Sequence, residues 1–370
     1  MKRAYLICLL LSLCALPGCV DQTYIEDISL SLLLGMDLDE KNRLVISSTS
    51  PVFSKEAKEK EENTIVHAVS LRQSREEFDS MITTLTSRGK VQLLLIGKRI
   101  LEHPDWFKLL DALYRDGKNT TMSRVVLVDG SVADLIKFKP KDKPILPLYL
   151  LKLIDTAHDQ NITVKTSLQE LHRQFTEKGM SPSFAELKKD GQIKVKGTAL
   201  LDRSGKYKMT LNADQTKLLR ILQNETRGVF PFTIHLHEQP NKGFFQENIT
   251  SFYPNFIKVK IKADYKNGGF VFDIKIKMGI SMTERIFNYN VRKQAPELEK
   301  QIQEELQNQI RQMLEKVQAA KIDPFGLGLY ARAYEYSHWK KVQDAWGVAF
   351  SDATVNVKVK VRIRAMGSTT

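Results

Sequence analysis

Cysteine is almost missing from this chain. Its 370 residues hold three, Cys8, Cys14 and Cys19, and none follows position 19. The body therefore has no disulfide framework and no cysteine nucleophile to offer. Beyond the first twenty residues, no apolar run reaches the roughly 18 residues that mark a transmembrane helix. The usual catalytic signatures are missing too: there is no G-x-S-x-G, no H-E-x-x-H and no P-loop. Carboxylate pairs such as Glu76-Glu77 and Glu304-Glu305 are adjacent in sequence. On a helix such neighbours point about 100° apart, so they make poor acid/base pairs. His235-Leu-His237 could set two imidazoles on one strand face, as a metal pair needs. No third ligand is implied nearby and Glu238 points the other way, so a surface pair is expected. No catalytic residue, cofactor or metal is expected.

The start of the chain is the first informative stretch. Lys2 and Arg3 precede residues 4–16, AYLICLLLSLCAL. As a helix that run would span roughly 20 Å, too short for a bilayer core and the right length for a signal peptide. Leu16-Pro17-Gly18-Cys19 then has the layout of a bacterial lipobox, with Pro17 where Ala, Ser or Thr is usual. Cleavage would make Cys19 the N-terminus, carrying a diacylglycerol thioether. The alternative is a plain secretory signal with an incidental cysteine. An unpaired exported thiol is a liability unless blocked, which favours acylation. Two acyl chains hold a protein on a membrane stably where one does not.

Removing residues 1–18 lowers the formal charge from +13 to +11, because Lys2 and Arg3 leave. A basic exported protein tethered to a membrane faces anionic lipid or wall polymer, and nucleic acid is not an expected partner. At 42% hydrophobic, the chain can build real cores.

Hydrophobic patterning gives an α+β, multi-domain chain. The first domain, 19–190, alternates strands at 28–36, 43–49, 64–70, 91–96 and 124–128 with helices at 74–86 and 103–115. Helices at 148–157 and 167–178 follow a proline- and lysine-rich linker at 137–147. A small middle domain is expected at 191–252, with strands at 192–201, 206–210 and 228–238 around a helix at 213–223. The C-terminal domain, 253–370, has three alternating strands and a long helix at 295–320. The helix stripe Leu298, Ile302, Leu306, Ile310, Leu314 and Val317 should bury the apolar face of an antiparallel-rich sheet.

The outward positions of those strands are cationic. Lys258, Lys260 and Lys262 alternate with Ile257, Val259 and Ile261. Lys275 and Lys277 follow in the second strand, and Lys358, Lys360, Arg362 and Arg364 in the third. Two readings stand side by side. One is a solvated face whose charge also blunts strand edges. The other is a patch that lies against anionic lipid or a partner's acidic surface, over about a Debye length of 8 Å. Trp339, Trp346 and Phe350 likewise read as core packing or as an aromatic partner patch.

Both ends of the chain resemble one family. Cys19-Val-Asp-Gln-Thr-Tyr-Ile-Glu-Asp-Ile and then Gly35-Met-Asp37 resemble the start of the Ger(x)C lipoproteins, the C subunits of bacterial spore germinant receptors, with Val20 where the family has Trp. Asp323-Pro-Phe-Gly326-Leu-Gly328, Trp339-Lys340, Trp346, Phe350 and the Val-x-Val strand resemble its C-terminal signature, with Tyr336-Ser337 where a Pro is frequent. Gln92–Gly97, Tyr114-Arg115-Asp116 and Val125–Gly130 lie in the expected order between them. The resemblance implies a three-domain, non-enzymatic lipoprotein on the outer face of the spore inner membrane. It would assemble with A-type and B-type integral membrane subunits in a complex that responds to nutrients. Only Cys19 carries over as a functional position. The competing reading is a lipoprotein solute-binding component of a transporter, which would normally show two similar lobes. A wall-modifying enzyme would need paired acids or a metal site.

Overall fold

The computed structural model describes residues 28–82, 85–87, 89–236, 249–285 and 291–366. Cys19, the leader and His237 lie outside that range. The first part of the chain carries strands β1 (Ile28–Leu30), β2 (Leu33–Leu38), β3 (Leu44–Pro51), β4 (Glu61–His67), β5 (Leu85–Ser87), β6 (Leu93–Gly97), β7 (Arg124–Asp129), β8 (Ser183–Asp190), β9 (Gln192–Leu201) and β10 (Tyr207–Leu211). Eight of these form one sheet, ordered β10-β9-β8-β7-β6-β2-β3-β4. Its four central strands, β8, β7, β6 and β2, are parallel. Antiparallel strands extend it on both sides. β1 and β5 make a short parallel pair of their own.

Central parallel strands must be covered on both faces, which is why β6 reads LLLIG with every residue buried. Leu94, Ile96, Val125 and Leu127 face a core that includes Trp106, Leu110 and Leu171. The alternate residues Leu93, Leu95, Val126 and Val128 pack with Leu135, Leu146, Leu150 and Ile154. Helix α1 (Leu146–Asp159) thus covers one face and α2 (Leu168–Thr176) the other, in three layers.

Two expected helices are shorter than their patterns. The helix at 74–86 stops at Asp79, and β5 follows. Pairing of Leu85, Thr86 and Ser87 with β1 rewards an extended backbone there, which suits the β-branched Thr86. The helix at 103–115 starts at Trp106, as a 3-10 turn that becomes α-helical at Asp111. Pro104 disfavours helical backbone at His103, and Asp105 is left-handed at φ 63°.

The expected middle domain, 191–252, has no sheet of its own among the described residues. Its strands are shared out. β9 and β10 complete the first sheet, while β11 (Phe232–His235) joins the second. Helix α3 (Ala213–Leu222) starts at a capping box between Asn212 and Gln215. It packs Leu218, Leu219, Ile221 and Leu222 into the C-terminal core. Composition could not show this, because β8 and β9 are joined by a tight turn at Gly191 (φ 66°), and the sheet continues straight through it.

The second sheet is ordered β11-β12-β13-β14, with β12 (Ile249–Lys266), β13 (Gly269–Arg285) and β14 (Thr354–Ala365). β11, β12 and β13 are antiparallel; β14 runs parallel to β13. Helix α4 (Val291–Ala319) lies on one face, and all six residues of its predicted stripe are buried. Each contributes about 2 kcal/mol of burial free energy. The helix also serves the edge. Gln307, Gln303 and Glu299 accept hydrogen bonds from the backbone N–H groups of Val359, Val361 and Ile363, at 2.9, 3.0 and 2.8 Å. Four residues of helix rise about 6.0 Å and two residues of strand about 6.6 Å, so the two repeats match as helix and strand run antiparallel.

Candidate docking face

The face of the second sheet turned away from α4 carries the cationic residues. Strand register sets them in rows. Lys260, Lys275 and Lys358 lie side by side, as do Lys258, Lys277 and Lys360. The next row is Lys262, Asp273 and Asn356, and Arg362 lies across from Gly279. A register shift between Ile280 and Ser281 leaves Arg364 between two paired positions. All nine cations are exposed, and none makes an ion pair among the described residues. Asp273 is instead held by Asn356, whose Nδ2 donates to its Oδ1 at 2.9 Å. Like charges directly opposite on neighbouring strands are destabilising, so the arrangement works against the sheet that carries it. The side chains wall an open concavity of about 790 Å³.

Sequence reasoning missed the end of this face. Asn255 is an extra residue in β12, and the register shifts from Tyr253–Ser281 and Pro254–Ile280 to Phe256–Gly279. The bulge changes the phase of the alternation, so Tyr253 and Phe256 both stand on the cationic side, 43% and 39% exposed. Gly279 makes room for the Phe256 ring: a Cβ there would lie 2.4 Å from it. The signal was a proline and an odd spacing inside an otherwise regular alternation.

The motifs that carried the family resemblance hold the fold. Asp323 is fully buried where the two large sheets' cores meet. Its Oδ1 accepts from the backbone N–H groups of Phe325 and Gly326, and its Oδ2 from Gly328 N–H and the Trp346 indole, at 2.8–3.1 Å. Its own N–H donates to Ser181 Oγ, and its C=O accepts from Ser181 N–H. Burial pushes the carboxyl up to about 6, against the pull of those donors. Gly328 touches Gly179 backbone to backbone. Ion pairs Arg332–Glu177 and Lys178–Asp344 flank the joint. Asp37 plays the same part in the first sheet, accepting from Leu38 and Val132 N–H groups, with its carboxyl raised by burial. Gly97 lies so close to it that any side chain would collide.

Trp339 and Trp346 are each 3% exposed and Phe350 is buried, so these aromatics are core and form no partner patch. His235 is exposed on β11. Among the described residues, no group of His, Cys, Asp and Glu could hold a metal ion, and no helix is long and apolar enough to cross a membrane.

Comparison with known proteins agrees with this arrangement. Residues 21–189 match the family model for a spore germination protein N-terminal domain. Residues 196–367 match the model for spore germination B3/GerAC-like proteins, C-terminal. The first segment ends and the second begins within the β8–β9 hairpin, so the division between them falls inside one sheet. The spore germination protein YndF of Bacillus subtilis (strain 168) is 23% identical over 315 residues, covering 81% of this chain and 71% of the relative. The crystal structure of the GerBC protein shares the fold, with a TM-score of 0.55 at 20% identity, over 89% of this chain and 96% of that one. With both halves matched in order and the fold shared, the chain belongs to the Ger(x)C family of spore germination proteins, the C-type components of germinant receptors.

Proposed function

We propose that this chain is the membrane-anchored, non-enzymatic C subunit of a spore nutrient germinant receptor. It is held to the outer face of the spore inner membrane by acylated Cys19. There it assembles with A-type and B-type integral membrane subunits, and its docking helps couple nutrient binding to germination. The observation that carries the reading is the cationic face of β12–β14. Seven lysines and two arginines stand exposed, with no ion pair among the described residues, on one side of a sheet whose other side packs into the C-terminal core. A surface maintained against its own repulsion supports a role in holding something anionic.

The test is affinity purification of the tagged protein from detergent-solubilised spore membranes, with mass spectrometry of what comes along. Recovery of two polytopic subunits encoded beside it is the expected result. Recovery of a transport ATPase and permease instead would replace this reading with that of a solute-binding component. The anchor is tested separately. Cys19 precedes the first described strand, so Cys19→Ala is expected to leave the fold intact and to move the protein from the membrane fraction toward the soluble one.

A further inference from the structure

The composition of the cationic face says what kind of surface it meets. Specific protein interfaces favour arginine and deplete lysine at their centres, because a planar guanidinium can hold a fixed carboxylate with two bonds. Here the central rows are all lysine, and the two arginines stand at one end. A lysine ammonium is a mobile point charge on a flexible stem, suited to anionic groups that are themselves mobile and not fixed in register. The rows also repeat regularly, about 4.8 Å across strands and 6.6 Å along them, with no feature that singles out one geometry of partner. At the arginine end the β12 bulge adds Tyr253 and Phe256 to the same side. Basic residues next to exposed aromatics match the layers of a bilayer surface: phosphates outside, and the apolar boundary just beneath.

We propose that the β12–β14 face docks on anionic phospholipid headgroups. Phosphates enter the concavity between the lysine walls, while Tyr253 and Phe256 seat at the headgroup–acyl boundary. The proposal rests on the membrane-tethered reading above and adds an orientation to it: the second sheet lies against the bilayer, with α4 turned away from it.

The experiment uses the mature chain carrying Cys19→Ala, so that no acyl group contributes. It is co-sedimented with vesicles of phosphatidylcholine alone, or of phosphatidylcholine with phosphatidylglycerol, across a salt series. Binding to the anionic vesicles only, weakening with salt, is expected. Each basic residue near an anionic leaflet is worth about fivefold in partition. Replacing one row, Lys258→Gln with Lys277→Gln and Lys360→Gln, should therefore lower binding roughly 100-fold. It should leave the melting temperature unchanged or raised, since the row's repulsion is gone. Tyr253→Ser with Phe256→Ser should weaken binding while keeping its preference for anionic lipid. Equal binding to both vesicle types, or no loss in the triple variant, overturns the proposal. The same triple variant is then used in the subunit purification. If the parent ignores vesicles yet recovers the membrane subunits, and the variant loses them, the face docks on protein. The lipid proposal then falls and the receptor reading stands. If the parent binds vesicles but recovers no membrane subunits, the receptor reading fails on its own.

Discussion

Adding one methyl group to Gly328 tests whether the signature loop is the joint between the two halves of the molecule. A Cβ at this position would lie 2.6 Å from the Gly179 Cα, 2.6 Å from the Gly179 carbonyl oxygen and 2.6 Å from the Trp346 indole nitrogen. Ordinary carbon contacts sit at about 3.5–4.0 Å, so roughly 1 Å must open. Two of the three obstacles are backbone, and the third is pinned by its 2.8 Å bond to Asp323 Oδ2. None can swing aside cheaply. Overpacking of this kind costs about 1–3 kcal/mol. Opening the joint also threatens the Gly328 N–H and Trp346 bonds to Asp323, and each buried group left unsatisfied costs about 1–3 kcal/mol more. Gly328→Ala should therefore lose about 3–5 kcal/mol. Urea unfolding followed by tryptophan fluorescence reads this directly, since Trp346 is in the joint and Trp106 is in the first core. Gly117→Ala is the control: nothing lies within 4 Å of a Cβ there, and its change should stay within about 0.5 kcal/mol. A loss under about 1 kcal/mol for Gly328→Ala, indistinguishable from the control, would refute the account of the joint.

Two further outcomes follow from the same geometry. Burial holds the Asp323 carboxyl at about 6, above its unfolded value of about 3.9, so between those values the folded state keeps a proton that the unfolded state has released. Its contribution to stability is full below about pH 4 and is lost as pH rises through about 6; urea midpoints should show that slope in the native protein and a shallower one in Asp323→Asn. Gln303→Leu removes the acceptor for Val361 N–H at the β14 edge, which should cost about 1–3 kcal/mol and speed hydrogen exchange at Val361 more than at the paired residue Met278.

The strongly periodic elements were legible. The α4 stripe from Leu298 to Val317 and the three alternating strands lie where their patterns place them, because one side of each is buried and the other is not. β9 at 192–201 is legible for the same reason. What escaped had non-local causes. Ile28–Met36 reads as one apolar strand, yet it breaks between β1 and β2, because the first pairs with β5 and the second with β3 and β6. The assignment of β9 and β10 to the first sheet depends on pairing partners that a one-dimensional pattern does not name. The cations were individually visible, but their alignment into rows depends on cross-strand register, and the position of Tyr253 and Phe256 on a single bulge. Asp323 was visible only as part of a motif. Its partners are mostly backbone N–H groups, which every residue but proline carries, so no side-chain pattern announces them.

The hydrogen bonds from β14 to α4 bear on how this protein tolerates crowding. Under the proposed membrane tether, copies of the chain meet in two dimensions, at local concentrations far above those in solution. An open strand edge under those conditions is an invitation to add another copy's strand and grow a ribbon. Here three successive N–H groups of the last strand are already taken by side chains of the chain's own helix. Copies can gather on a surface, and the sheet gives them no seam along that stretch at which to polymerise.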